Sequence, residues 1–132
     1  MTTIFSKIVK GEIPSYRIAE NDRFYAFLDI NPLAKGHTLV VPKKEIDYLF
    51  DLEDELLAGM NVFAKKIARA IEKVVPCKRI GVAVLGLEVP HAHIHLIPIN
   101  SEADISFSRP KLKFSEAEFI ELAEKISKEV KL

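Results

Sequence analysis

Three imidazoles stand at alternate positions in the run PHAHIHLIP, Pro90 to Pro98: His91, His93 and His95, out of four histidines in 132 residues. In an extended chain alternate side chains lie roughly 6.6 Å apart on one face, which would group the three rings and send Ala92, Ile94 and Leu96 to the other face. The apolar face can join a core while the imidazole face lines a groove, and a slip of one residue would exchange the two. Three chemistries fit such a row. The rings can be ordinary hydrogen-bonded residues. They can share a zinc ion, with a further ligand from His37, Asp29 or Glu88, none of which stands at diagnostic spacing. Or one neutral imidazole, with a pKa near ~6.5, can attack phosphorus while its neighbours fix its tautomer and stabilise charge on the phosphate. Phosphoryl transfer asks mainly for positioning and electrostatic stabilisation, so a compact cluster of this kind can work without metal.

The elements that must hold this row read as follows. TIFSKIVKG places Ile4, Phe5 and Ile8 on one helical face with Gly11 just beyond, a short helix with a glycine stop. SYRIAE and RFYAFLDI are strand-like runs parted by Asn21-Asp22, DINPLAKG reads as a loop, and HTLVVP is a third strand closed by Pro42. From Leu52 through Met60, Phe63, Ile67 and Ile71 to Val74, apolar residues recur at spacings of three and four, which predicts one long amphipathic helix over Asp51 to Val75. RIGVAVLGL and PHAHIHLIP are two further strand-type runs around Gly86, for which a tight or bulged hairpin is the economical connection. Ser115 and Glu118 form a capping-box signature before a C-terminal helix carrying Phe119, Leu122, Ala123, Ile126 and Val130. Antiparallel strands with a long inserted helix and a terminal one make the fold class α+β.

Residues 1–132 fit one domain. Nineteen basic side chains balance 19 acidic ones, so no charge excess points to nucleic acid. No apolar run approaches the ~18 residues of a membrane span, and lysines interrupt the start of the chain where a signal peptide would be apolar. Cys77 is the sole cysteine, which excludes an internal disulfide and suits a reducing compartment; the cytoplasm is the expected location.

The run HAHIHLI fits the pattern His-φ-His-φ-His-φ-φ, with φ apolar, and on it the chain resembles the histidine triad (HIT) family of nucleotidyl hydrolases and transferases. TIFSKIVKGEIPSYRIAEND, FLDINPLAKGHTLVVPKK and VPHAHIHLIP resemble successive blocks of that family's Hint-like branch, covering about the first hundred residues. The resemblance implies a five-stranded antiparallel sheet, a homodimer built on one continuous sheet, a purine nucleotide (AMP-type) ligand and no cofactor. It implies that His93 attacks the α-phosphorus to form a nucleotidyl-histidine later released by water, that His91 orients that ring, that His95 contacts the phosphate or the leaving group, and that His37 sits beside them. Asp29 would accept both ribose hydroxyls, a role open to a carboxylate with two acceptor oxygens, with a simple Asx-turn role as the alternative. Ile30, Phe27, Phe5 and Ile8 match the walls of the nucleobase pocket, and Phe5, Ile8 and Phe27 also suit ordinary core. Glu88 and Val89 fall beside the phosphate.

Two departures stand out. Where some bacterial relatives carry the cysteines and histidine of a structural zinc site, this chain has Thr3, Ser6 and Glu45, so no structural zinc is expected. The stretch VAVLGLEVPH before the triad is shorter than the glycine-rich loop common there, with Leu87 in place of a polar residue and Glu88 adding negative charge. The expected reaction is hydrolysis of a purine nucleoside 5′-phosphoramidate or related acyl-nucleotide. A dinucleoside polyphosphate hydrolase, a nucleotide- or partner-binding protein with incidental turnover and a metal-dependent hydrolase are the alternatives. Residues 100–114 read either as a loop over the site or as a dimer arm.

Overall fold

The computed structural model describes residues 2–132. Helix α1 (Ile4–Val9) begins at Thr3, whose side chain accepts from the Ser6 amide, and the chain turns away through Gly11 at φ 79°. Strands β1 (Arg17–Glu20) and β2 (Phe24–Leu28) follow, joined by a turn in which Asn21 Oδ1 accepts from the amides of Arg23 and Phe24. Then come β3 (Thr38–Pro42), the long helix α2 (Asp54–Val74), β4 (Arg79–Ala83), β5 (Ile94–Ile99) and helix α3 (Glu116–Glu129). The strands form one antiparallel sheet in the order β1-β2-β3-β5-β4, which leaves β4 as an edge.

Strict alternation gives the sheet two apolar faces. Phe24, Ala26, Leu28, Val40, Ile94 and Leu96 pack against Met60, Phe63, Ile67 and Ile71 of α2 and against Phe119, Leu122 and Ile126 of α3. Each of the large side chains contributes on the order of 1.5–3 kcal/mol by leaving water, so this layer holds the register of β2, β3 and β5. Tyr25, Phe27, Leu39 and Val41 face the other way, toward Phe5 and Ile8. Helix α1 has only six residues and covers part of that second face; the remainder is open.

Two expectations need correction. The long helix starts at Asp54 rather than Asp51, because Leu49–Asp51 form a 3₁₀ turn and Leu52 is extended, reaching the core from outside the helix. The helix does end where expected, with Val75 extended just ahead of Pro76, as the residue before a proline prefers. The second correction concerns the triad strand. Pairing of β4 with β5 runs from Arg79↔Ile99 to Ala83↔His95 and then stops, so residues 84–93 make a long connection instead of a tight hairpin around Gly86. Their amides go elsewhere: His91 N–H donates to Val89 O at 2.8 Å and Ala92 N–H to Ile46 O at 2.7 Å, while Pro90 has no N–H to offer a ladder.

Candidate active site

The open part of the second face is a cavity of about 530 Å³. Its apolar wall is Phe5 and Ile8 from α1, Phe27 from β2 and Leu39 from β3; its polar floor is Asp29, His37, His93 and His95. Glu88 and Val89 from the connection border it, and Ile30 lines the rim, largely exposed. The walls are also core: Phe5 meets Phe27 edge-on at 5.6 Å and His93 at 5.0 Å between ring centroids, so one set of contacts supports the fold and shapes the pocket.

His91 does not line the cavity. It lies behind His93 and is fully buried, because α1 closes over it. All three rings of the row are buried, and only two of them face the open space.

Hydrogen-bond partners decide which nitrogen of each ring carries the proton. His93 Nδ1 lies 2.7 Å from the carbonyl oxygen of His91, an acceptor only, so Nδ1–H donates and Nε2 keeps a free lone pair. His37 Nδ1 accepts from the Leu33 amide at 3.0 Å, so its proton sits on Nε2 and is donated to His95 Nδ1, again at 3.0 Å. His95 therefore carries its own proton on Nε2. His91 donates from Nε2 to Pro42 O at 2.8 Å and accepts at Nδ1 from the Thr3 hydroxyl at 2.8 Å. Asp29 uses Oδ1 as the acceptor of an Asx turn from the Asn31 amide, and its Oδ2 lies 3.5 Å from His37 Nε2. Asp29 therefore makes the Asx turn with one oxygen, while the other faces the cavity floor beside His37.

Burial holds the rings neutral. Loss of solvation, reinforced by the neighbouring His95 and the Lys111 cation, pushes His37 down to about 3. Burial, His93 and Lys111 lower His95 to about 4. His93 is lowered by burial and partly restored by its bond to the His91 carbonyl; His91 is lowered by burial, against the pull of Pro42 O and Glu45. Burial raises Asp29, opposed by the Asn31 amide. Asp29, His37 and His95 also offer ligand atoms within 4.8 Å of one another.

Phe107 and Lys111 are among the lining residues not singled out from sequence. Phe107 packs edge-on against His95 at 4.8 Å, and Lys111 donates to Phe107 O at 2.9 Å; Leu112 N–H donates to Pro32 O at 2.8 Å. The segment through Phe107 and Lys111 thus runs as a strap along the site. Lys111 is the only lysine or arginine lining the cavity among the described residues. A lysine in a polar stretch carries no motif, and only the tertiary path of the strap brings it in.

Known proteins share this chain's sequence and fold. The chain is 38% identical over 134 residues to the adenosine 5′-monophosphoramidase of Schizosaccharomyces pombe, covering 99% of this chain and 100% of the relative. A Hit-like protein from Bartonella henselae, crystallised with an unknown ligand, superposes with a TM-score of 0.85 at 34% identity, over 98% of this chain and 96% of that one. A zinc-bound histidine triad protein from Mycobacterium smegmatis gives 0.80 at 30%, over 97% and 95%. The HIT domain itself matches residues 10–102, and with these relatives it shows that the chain belongs to the histidine triad family.

Proposed function

We propose that this protein hydrolyses purine nucleoside 5′-phosphoramidates, or related acyl-nucleotides, through a nucleotidyl group carried on His93. The observation that carries the reading is the tautomer of His93: Nδ1–H is committed to the His91 carbonyl, which leaves the Nε2 lone pair on a neutral, buried ring at the cavity floor. The Schizosaccharomyces pombe relative, an adenosine 5′-monophosphoramidase by name, supports the substrate class. In this reading Phe5, Ile8 and Phe27 flank the base, Asp29 accepts the ribose hydroxyls and the α-phosphate lies between His93 and His95.

His93 Nε2 attacks phosphorus, the P–N bond to the leaving group breaks, and the amine departs with the protons it brings as the zwitterionic phosphoramidate. His95 Nε2–H, its position held by His37, donates to a phosphate oxygen as charge builds there. Water then attacks the same phosphorus, the P–N bond to His93 breaks, AMP leaves, and the proton of the water goes to solvent. His93 returns as the neutral ring with Nδ1–H still on the His91 carbonyl. The test is hydrolysis of adenosine 5′-phosphoramidate by wild type and His93→Ala, each with and without EDTA. Chelator-resistant turnover that vanishes in the variant is expected. The cluster of Asp29, His37 and His95 favours a metal-dependent second reading, which EDTA-sensitive turnover would select. Activity surviving in His93→Ala would remove the proposed nucleophile.

A further inference from the structure

The carbonyl that fixes the His93 tautomer belongs to a residue outside the sheet. The ladder of β5 begins at Ile94, paired with Val40, so no strand pairing restrains residue 91. Its backbone is held by two hydrogen bonds, His91 N–H to Val89 O and, across the same peptide unit as the carbonyl, Ala92 N–H to Ile46 O, and its ring adds the side-chain anchor. His91 Nε2–H grips Pro42 O at the end of β3, and His91 Nδ1 receives the Thr3 hydroxyl proton. That hydroxyl already accepts the Ser6 amide at 3.0 Å, so its single proton is directed to the one remaining acceptor. Behind it, Glu45 Oε1 accepts both the Thr3 amide at 2.8 Å and the Ser6 hydroxyl at 2.6 Å, tying the start of α1 to the segment after β3. The hydroxyls of Thr3 and Ser6 are buried, and every buried side-chain polar atom among the described residues is partnered.

We propose that Thr3, braced by Ser6 and Glu45, is a positioning residue for the nucleophile: it locks the ring of His91 and thereby the carbonyl that sets the tautomer and aim of His93. The three positions that would bear zinc ligands in some relatives here form a hydrogen-bonded brace with a mechanical task. The connection passes through defined groups, from Glu45 to Ser6 and Thr3, to the His91 ring, to the His91 carbonyl, to His93 Nδ1–H. Phe5, two residues after Thr3, packs edge-on against both His91 at 5.9 Å and His93 at 5.0 Å, so the helix that Thr3 caps also supports the nucleophile from its apolar side. If the His91 carbonyl drifts, His93 can place its proton on Nε2 and lose the lone pair that attacks phosphorus. Misplacement of a reacting group by about 1 Å can cost about a hundredfold in rate, so loosening this anchor should be visible in turnover.

The inference rests on the reading of His93 as nucleophile, and the experiment separates the two. Thr3→Val, Thr3→Ser and Glu45→Ala are assayed with adenosine 5′-phosphoramidate, and the ring protons of their histidines are assigned by two-dimensional 15N–1H NMR. Thr3→Val, which keeps the shape and loses the hydroxyl, should lower kcat by about tenfold or more with KM within about twofold. Its His93 should show an Nε2–H population that wild type lacks. Thr3→Ser should restore both, because it retains the donor and the acceptor. Wild-type kcat in Thr3→Val, a rise in KM in place of the fall in kcat, or a His93 that stays purely Nδ1–H would overturn the proposal. Should Thr3→Val not fold, the exposed Glu45→Ala decides: a several-fold fall in kcat with the same tautomer shift supports it, and unchanged kcat and spectrum refute it. A wild type that turns over no phosphoramidate would defeat the nucleophile reading alone, since the ring spectra report the positioning without any substrate.

Discussion

Lowering the pH from 7 to 5 should remove a large share of this protein's stability through its histidines. All four rings fold in the neutral state with pKa values depressed from 6.5, His37 to about 3 and His95 to about 4. A depressed histidine means that the unfolded chain binds a proton which the folded chain refuses. Stability is therefore complete above pH 6.5, falls as the pH drops below that value, and stops falling below the folded pKa. For one ring that stays neutral throughout, moving from pH 7 to 5 costs about 1.9 kcal/mol. His37 and His95 together then cost roughly 3–4 kcal/mol, and His91 and His93 act in the same direction. Asp29 opposes them, since its raised pKa lets the folded state hold a proton that the unfolded state releases. The carboxylates lowered by their partners, among them Glu20 and Asp104, add their own loss only further down, below their ordinary values of 4.5 and 3.8. Against a typical total of about 5–15 kcal/mol, the loss is within easy reach of measurement. The chain has no tryptophan, so urea unfolding should be followed by far-ultraviolet circular dichroism at pH 7, 6 and 5. His95→Gln, which keeps a donor and an acceptor, should remove about one proton's share of the slope. An unfolding free energy that does not change between pH 7 and 5, or a slope untouched by His95→Gln, would refute the claim that burial keeps these rings neutral.

Asp29→Ala should weaken AMP binding by about tenfold, the worth of a charged acceptor of two hydroxyls, while leaving 2′,3′-dideoxy-AMP nearly unaffected. Isothermal titration with both nucleotides checks it, and equal AMP affinity in the variant would remove Asp29 from ribose recognition. Lys111→Met removes the only cation lining the cavity among the described residues, so the KM for an anionic phosphoramidate should rise several-fold, with the salt dependence of kcat/KM weakened. An unchanged KM across 20 to 200 mM salt would show that Lys111 serves only the strap, through its bond to Phe107 O.

How much of this was legible depends on the range over which each feature is determined. The periodicity of α2 and the alternation of β2 and β3 are local, and apart from the extra turn at Asp51 the structure follows them. The two faces of the triad segment were also readable, since Ala92, Ile94 and Leu96 do join the main core. What alternation could not reveal is that the ladder stops at Ile94, because that is decided by amides bonding to Val89 and Ile46 and by a ring held between Thr3 and Pro42, partners spread over the length of the chain. Likewise Phe107 and Lys111 reach the cavity only through the path of the strap. The same distinction explains the first histidine of the row. Its direct contact with His93 is a backbone carbonyl, which any residue possesses, so that contact alone gives no reason for a histidine at position 91. The reason lies in the ring, whose two nitrogens meet an acceptor on one side and a donor on the other and so reinforce the hold that the Ala92 amide, bonded to Ile46 O, already gives the carbonyl. A glutamine there could offer one donor and one acceptor, but on a single flexible amide in place of opposite edges of a rigid ring, and it would hold the carbonyl less firmly.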